Sequence, residues 1–137
     1  MNGQRALILD YEHHLEAFAA RLVDHGYKAR LRALLATPHG QRRFTSELNH
    51  FEELDPRWRT NLSDCDANAV ITELQARRAP ECGICISADA KLDGSIVDLG
   101  DAIRRVRYCG CGTLVSFVPG KLAYFENEYE AYLLERS

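Results

Sequence analysis

The sequence has no apolar stretch approaching the ~20 residues that a helix needs to cross a bilayer. The longest apolar run near the N-terminus covers residues 6–9 (Ala-Leu-Ile-Leu), and acidic residues and histidines follow it at once. That run is too short to be the apolar region of a signal peptide. We therefore expect no membrane partner and a cytoplasmic location, where cysteine thiols stay reduced.

Motifs for nucleotide binding and for hydrolysis are also missing. The chain contains no G-x-x-x-x-G-K, no G-x-G-x-x-G and no G-x-S-x-G sequence. All five histidines precede residue 51, so a cysteine–histidine catalytic pair has no local support in the sequence. We therefore favour a non-catalytic protein over an enzyme. We expect it to bind another macromolecule, and we interpret that partner as a protein.

The chain lacks an excess of positive charge. It has 17 Lys and Arg residues against 20 Asp and Glu residues, for a net charge of −3. Because nucleic-acid-binding domains are usually basic, a nucleic-acid partner is not expected. The segment from Arg21 to Arg43 is locally basic, with Asp24 as its only acidic residue. We interpret this segment as the solvated face of two amphipathic helices, and contact with a phosphate is the alternative.

The first half of the chain has the apolar spacing of helices. One apolar stripe runs from Leu15 to Leu22, and Asp10 is predicted as the N-cap of that helix. A second helix is predicted to begin near Tyr27 and to end at Thr37-Pro38, because a residue before proline avoids the helical conformation. Two further helices are predicted over residues 41–53 and 66–78.

After Pro80 the pattern changes to that of a small sheet. The short apolar segment from Cys82 to Ser87 predicts a strand, and Asp98 is predicted as the N-cap of one more helix. Pro119-Gly120 separates two β-rich runs and predicts a tight hairpin, since proline presets the first turn position and glycine tolerates a positive φ at the second. The three C-terminal strands are predicted over residues 113–118, 121–125 and 129–134.

Together these elements predict an α+β protein. Its helical N-terminal half packs on a small, mostly antiparallel sheet of β-α-β-β-β order and covers one face of that sheet. We expect a single domain over residues 1–137. Its helical half (1–79) and its sheet half (80–137) are not expected to fold independently, because so short a unit buries little apolar surface.

Four of the five cysteines flank the helix that Asp98 is predicted to cap: Cys82 and Cys85 before it, Cys109 and Cys111 after it. Zinc takes four ligands in a tetrahedron, with paired thiolates usually two to four residues apart. Because side chains alternate along a strand, Cys82 and Cys85 point to opposite faces and cannot hold one ion together.

A crossover connection predicts a different grouping of the thiols. If the helix returns the chain to the start of the first strand, Cys82, Cys109 and Cys111 meet at one end of the sheet, and Cys85 stays in the core. With a histidine from the helical half as fourth ligand, these three thiols form the alternative prediction of a zinc-binding site, or of a thiol-redox site. The favoured interpretation has no cofactor, because free cysteines commonly pack as small buried hydrophobic residues.

Overall fold

The computed structural model describes the backbone of residues 2–137 and the side chains of residues 11–137. Within these residues the helices are α1 (Asn2–Arg21), α2 (Lys28–Leu35), α3 (Pro38–Ser46), α4 (Ala67–Ala76) and α5 (Leu99–Val106). The strands are β1 (Arg59–Asn61), β2 (Cys82–Ser87), β3 (Ile96–Asp98), β4 (Thr113–Val118), β5 (Leu122–Glu126) and β6 (Ala131–Glu135). Short 3₁₀ turns occupy His25–Tyr27, Leu48–His50 and Pro56–Trp58.

The strands form one sheet in the order β1-β6-β5-β4-β2-β3, and every neighbouring pair is antiparallel. The predicted α+β class, with helices packed on an antiparallel sheet, is confirmed. The sequence pattern missed β1 and β3. Strands of three residues are too short to show the alternation of apolar and polar side chains on which strand prediction depends.

The connection between β2 and β4 differs from the predicted crossover. β3 pairs antiparallel with the first half of β2 and places Asp98 opposite Cys82, so the chain is back at the start of β2 when α5 begins. The helix then carries the chain to the far end of β2, where Thr113 of β4 pairs with Ser87. The additional strand therefore makes β2 and β4 antiparallel, whereas a single helix between them would have made them parallel.

Helices cover both faces of the sheet. α1, α2 and α3 pack on the face that contains Ile86, Leu114 and Phe125. The alternate strand residues, including Cys85 and Val115, face α4 and α5. Because side chains alternate along a strand and both faces are covered, the central strands are apolar at almost every position. The helical half packs on the sheet as predicted, but α4 lies on the face opposite to α1, α2 and α3.

The segment Thr37-Pro38 begins a helix, whereas the sequence pattern predicted that it ends one. Thr37 Oγ1 accepts a hydrogen bond from the Gly40 N–H at 3.0 Å, and Pro38 lies in the first turn of α3. Proline is well tolerated there, because the first N–H groups of a helix have no partner within the helix. The predicted third helix therefore starts three residues earlier than expected, at Pro38, and ends at Ser46.

The longest helix, α1, begins at Asn2 and continues through Asp10, so the predicted N-cap at Asp10 is wrong. Alanine and leucine at positions 6, 7 and 9 favour the helical conformation and extend the helix toward the N-terminus. No helix within residues 2–137 is both long enough and apolar enough to cross a membrane.

The hairpin between β4 and β5 has the predicted turn. The Lys121 N–H donates to the Val118 carbonyl oxygen at 2.9 Å, and Gly120 has a φ of +68°. The predicted cap of α5 is also confirmed, because Asp98 accepts a hydrogen bond from the Gly100 N–H at 3.1 Å. Both predictions depended on contacts between residues two or three positions apart, which a sequence shows directly.

Candidate binding site

The structure does not bring the three predicted zinc ligands together. Cys82 lies at the start of β2, whereas Cys109 and Cys111 lie between α5 and β4, beside the far end of β2. Five residue steps along a strand, at ~3.3 Å each, separate the two ends by roughly 16 Å. The predicted crossover was the only reason to group the three thiols, and the antiparallel pairing of β2 with β4 removes it.

No group of three or more His, Cys, Asp or Glu side chains suited to a metal ion occurs among the residues whose side chains are described, 11–137. Cys85 lies fully in the core on the face of α4 and α5, and burial raises the pKa of its thiol. This position is the one expected from its apolar neighbours in the sequence.

Cys109 and Cys111 lie close together in the loop after α5. The Cys111 N–H donates to the Cys109 sulfur at 3.3 Å. Partial burial of the sulfur raises the pKa of the otherwise exposed Cys109 thiol, so the protonated form predominates near neutral pH. A reactive thiol needs a lowered pKa, because the thiolate is the nucleophile.

A buried network of polar side chains lies next to this loop, at the C-terminal end of α5. Arg107 Nη1 lies 3.3 Å from Glu126 Oε1, and the two side chains are 5% and 7% exposed. Tyr124 donates its hydroxyl hydrogen to the same carboxylate oxygen at 2.5 Å. Arg107 also donates through Nε to the Cys65 carbonyl and through Nη2 to the Ser63 carbonyl, each at 2.8 Å.

Buried charges are tolerated when each is paired and its remaining hydrogen-bonding capacity is used. Burial, together with the hydrogen bond to Glu126, raises the pKa of Tyr124, which keeps the phenol protonated. The network joins α5, β5 and the loop after β1 into one rigid support.

Tyr108 follows this network and has a backbone conformation that is uncommon for a large side chain. Its φ is +68°, in the left-handed region, where residues other than glycine are strained. Three contacts hold it there: its N–H donates to Glu126 Oε2 at 2.8 Å, its ring centroid lies 3.9 Å from the Arg107 guanidinium carbon, and its hydroxyl donates to the Cys65 carbonyl oxygen at 3.3 Å. The side chain is nevertheless 68% exposed. The fold therefore presents this aromatic ring to solvent and holds it in a fixed position.

A second exposed tyrosine, Tyr129, lies in the turn between β5 and β6. Asn127 Oδ1 accepts hydrogen bonds from the Tyr129 and Glu130 N–H groups at 2.8 and 2.7 Å, and Asn127 Nδ2 donates to the Phe51 carbonyl at 2.9 Å. Tyr129 is 63% exposed. The buried asparagine thus anchors a tight turn whose tip is aromatic.

Tyr108 and Tyr129 line one open cavity of about 280 Å³, which we call the two-tyrosine pocket. They are the only two large hydrophobic side chains that are strongly exposed among residues 11–137. The remaining lining comes from the loop after β1, the Cys109–Cys111 loop and the β5–β6 turn: Ser63, Arg107, Gly110, Glu126, Asn127, Glu128, Glu130 and Ala131.

The two-tyrosine pocket carries an excess of negative charge. Arg107 and Glu126 compensate each other, whereas Glu128 and Glu130 add two carboxylates that no Arg or Lys pairs within residues 11–137. Hydrogen bonds from Tyr129 and from His50 lower the pKa of Glu128, so this carboxylate is ionised at neutral pH. Glu130 accepts a hydrogen bond from Asn61. Two aromatic rings beside two carboxylates form an environment that favours a cation.

Sequence reasoning missed both tyrosines. They lie in different loops, and only the antiparallel sheet brings the end of α5 beside the β5–β6 turn. Their position next to turn residues could have indicated them, because turns lie on the surface and an aromatic side chain there seldom packs in the core. Of this pocket, the sequence indicated only the connection between the strands predicted over residues 121–125 and 129–134.

Comparison with protein-family models, with curated proteins and with solved structures finds no match for this chain. The geometry and charge of the two-tyrosine pocket therefore carry the functional proposal.

Proposed function

We propose that this chain is a non-catalytic protein that binds another protein, and that the two-tyrosine pocket receives a lysine or arginine side chain of that partner. The observation that carries the proposal is the convergence on one cavity of two exposed tyrosines and of two carboxylates that no Arg or Lys pairs within residues 11–137. Exposed aromatic residues on a rigid support are typical of the few residues that dominate binding energy in protein interfaces.

The chemistry of Glu126 supports a binding role over a catalytic one. Its carboxylate already accepts hydrogen bonds from the Tyr124 hydroxyl and the Tyr108 N–H and pairs with Arg107. A general base needs a lone pair directed at the substrate, and these contacts use the carboxylate for support instead. The negative charge of Glu128 and Glu130 also disfavours a nucleic-acid phosphate as the ligand.

We further propose that the protein acts in the cytoplasm. All five cysteines are free, including the exposed Cys82 and Cys109. Exposed thiols persist in a reducing compartment, whereas an oxidising one promotes disulfide formation.

The test is a titration of the ¹⁵N-labelled protein with the peptide Ac-GGKGG-NH₂, followed by amide chemical shifts. A peptide with norleucine in place of lysine is the matched control, because it keeps the aliphatic chain and lacks the charge. We expect saturable shifts at Tyr108 and around Tyr129, with weak affinity, since a single cation–π contact contributes about 1 kcal/mol.

The variants Tyr129→Ala and Glu128→Gln should each weaken lysine-peptide binding about fivefold, because about 1 kcal/mol corresponds to that factor. Glu81→Gln, an exposed glutamate that does not line the pocket, should leave the binding unchanged. Equal binding of the norleucine peptide, or shifts that map away from the pocket, would contradict the proposal.

A further inference from the structure

A second surface lies where β1 forms the edge of the sheet, and it meets the two-tyrosine pocket at Glu130, which accepts a hydrogen bond from Asn61 of β1. Two arginines contact the Trp58 ring: the guanidinium carbons of Arg57 and Arg136 lie 5.2 and 5.0 Å from its ring centroid. The guanidinium carbon of Arg59 lies 5.1 Å from the ring centroid of Tyr132. We call these five residues the arginine–aromatic surface.

The cations of this surface are held in place by the fold. Arg136 Nη1 donates to the Arg21 carbonyl at 2.9 Å, and Arg21 Nε donates to the Gly120 carbonyl at 3.2 Å. The Arg136 N–H donates to the Lys121 carbonyl at 2.8 Å, which places Lys121 beside the same surface. Guanidinium groups that are stacked and hydrogen-bonded lose little conformational freedom when they bind an anion.

Ion pairs compensate the positive charge on this surface only in part. Asp55 pairs with Arg57 at 2.7 Å. Among the side chains of residues 11–137, no carboxylate forms an ion pair with Arg59, Arg136 or Lys121. The surface is therefore cationic in a chain whose net charge is −3. Electrostatic complementarity favours an anionic partner for it.

The edge strand β1 adds a backbone element to this surface. The Leu62 N–H donates to the Ala131 carbonyl of β6. Backbone groups that face the partner strand recur at every second residue, so the N–H and C=O groups of Leu62 and Thr60 are directed toward β6. In an antiparallel pair the intervening residues, Arg59 and Asn61, direct their backbone N–H and C=O groups away from the partner strand. β1 is the terminal strand, so these groups face outward from the sheet.

We infer that the arginine–aromatic surface binds an extended acidic segment of a partner protein, which pairs with β1 as an additional strand. Strand addition uses the free backbone groups of Arg59 and Asn61, while alternate Asp or Glu side chains of the segment meet the arginines. A nucleic acid fits less well, because the guanidinium groups of Arg57 and Arg136 already lie over the Trp58 ring and compete with a base for stacking on it.

Trp58 is the only tryptophan of the chain, so its fluorescence reports on this surface directly. We expect the peptide Ac-EVEVE-NH₂ to change this fluorescence saturably, and Ac-QVQVQ-NH₂, of similar strand propensity, to bind at least tenfold more weakly. In the complex the Arg59 and Asn61 amides should become protected from hydrogen exchange. An acidic peptide methylated on alternate backbone nitrogens should also lose at least tenfold in affinity, because it cannot pair with the strand edge.

Arg59→Gln and Arg136→Gln should each weaken binding of the acidic peptide about fivefold or more. The matched control is Arg30→Gln, since Arg30 also lies over an aromatic ring, that of Tyr27, but on α2. This control should change the affinity less than twofold. Equal binding of the neutral or the methylated peptide would overturn the inference, as would tighter binding of an oligothymidylate than of the acidic peptide. These readouts do not involve Tyr108 or Tyr129, so the inference and the proposed function fail separately.

Discussion

At the level of single residues, neighbouring groups compensate a strained backbone at Tyr108 and a buried charge at Asp55. Tyr108 keeps its left-handed conformation because its N–H is bonded to a buried carboxylate and its ring stacks on Arg107. Asp55 is compensated in a similar way beside the arginine–aromatic surface. Its carboxylate accepts hydrogen bonds from the Arg57 N–H at 3.0 Å and from Arg57 Nη2 at 2.7 Å.

The side chain of Arg57 lowers the pKa of Asp55 from 3.8 to about 2. Because the folded-state pKa is the lower one, the charged pair stabilises the fold above pH 4, and this contribution is lost as pH falls from about 4 to 2. Solvent screens the exposed arginine and reduces the size of this effect. Between pH 4 and pH 2, the free energy of unfolding of the wild type should therefore fall by about 1 kcal/mol more than that of the Asp55→Asn variant.

The measurement is urea unfolding of both proteins at a series of pH values from 6 to 2.5. Asparagine keeps an oxygen that can accept from the Arg57 N–H, so the comparison isolates the charge. Asp64→Asn, an exposed aspartate, should follow the wild-type pH dependence. Parallel curves for the wild type and Asp55→Asn would refute the assignment.

At the level of elements, short segments decide the geometry of the site. β3 has three residues, yet it reverses the chain before α5 and so determines that β4 runs antiparallel to β2. The loop that follows α5 then reaches β4 through Gly112, which packs directly on the 3₁₀ turn Leu48–His50. A Cβ at Gly112 would lie 2.1 Å from the Asn49 nitrogen and 2.3 Å from the Leu48 carbonyl carbon.

We predict that Gly112→Ala lowers the free energy of unfolding by about 2 kcal/mol or more, because two backbone segments must separate to admit the methyl group. The matched control is Gly110→Ala in the same loop. Gly110 has a φ of +80°, and a Cβ there would have no neighbouring atom within 4 Å. The control variant should therefore lose only the free energy of unfolding that corresponds to backbone strain, about 1 kcal/mol. Urea unfolding gives both values, and an equal loss in the two variants would show that the close approach is unimportant.

At the level of the whole molecule, helices on both faces bury the sheet, and two surfaces of opposite charge lie along β6. The two-tyrosine pocket includes Ala131 at the start of β6, whereas Arg136 follows its last residue. Five residues of strand place the two ends roughly 17 Å apart. The positions of both surfaces therefore depend on the intact sheet.

Thiol reactivity tests this layered arrangement. Cys82 and Cys109 are exposed, whereas Cys85 is completely buried between the sheet and the helices α4 and α5. We predict that in native protein Cys85 reacts with an aromatic disulfide reagent at least about a thousandfold more slowly than Cys82, because its exposure requires opening of a core stabilised by several kcal/mol.

Mass spectrometry of the labelled protein assigns each reacting cysteine, and Cys85→Ala should lack the slow phase. All five thiols should react at once in denaturant. A single rapid phase in native buffer would mean that the core is not closed around Cys85.

The sequence by itself determined the elements that local interactions specify. The apolar stripe from Leu15 to Leu22, the Asp98 cap and the Pro119-Gly120 turn each depend on residues a few positions apart, and these predictions are confirmed. The α+β class followed from the change of periodicity after Pro80.

Only the tertiary structure decided which distant residues meet. The strand pairing separated Cys82 from Cys109 and brought Tyr108 beside Tyr129. No local pattern encodes these outcomes, because strand direction depends on how many times the chain crosses the sheet, and here a three-residue strand changed that number. The physical reason is that sheet pairing is non-local, whereas caps, turns and helical stripes are complete within one or two turns of the chain.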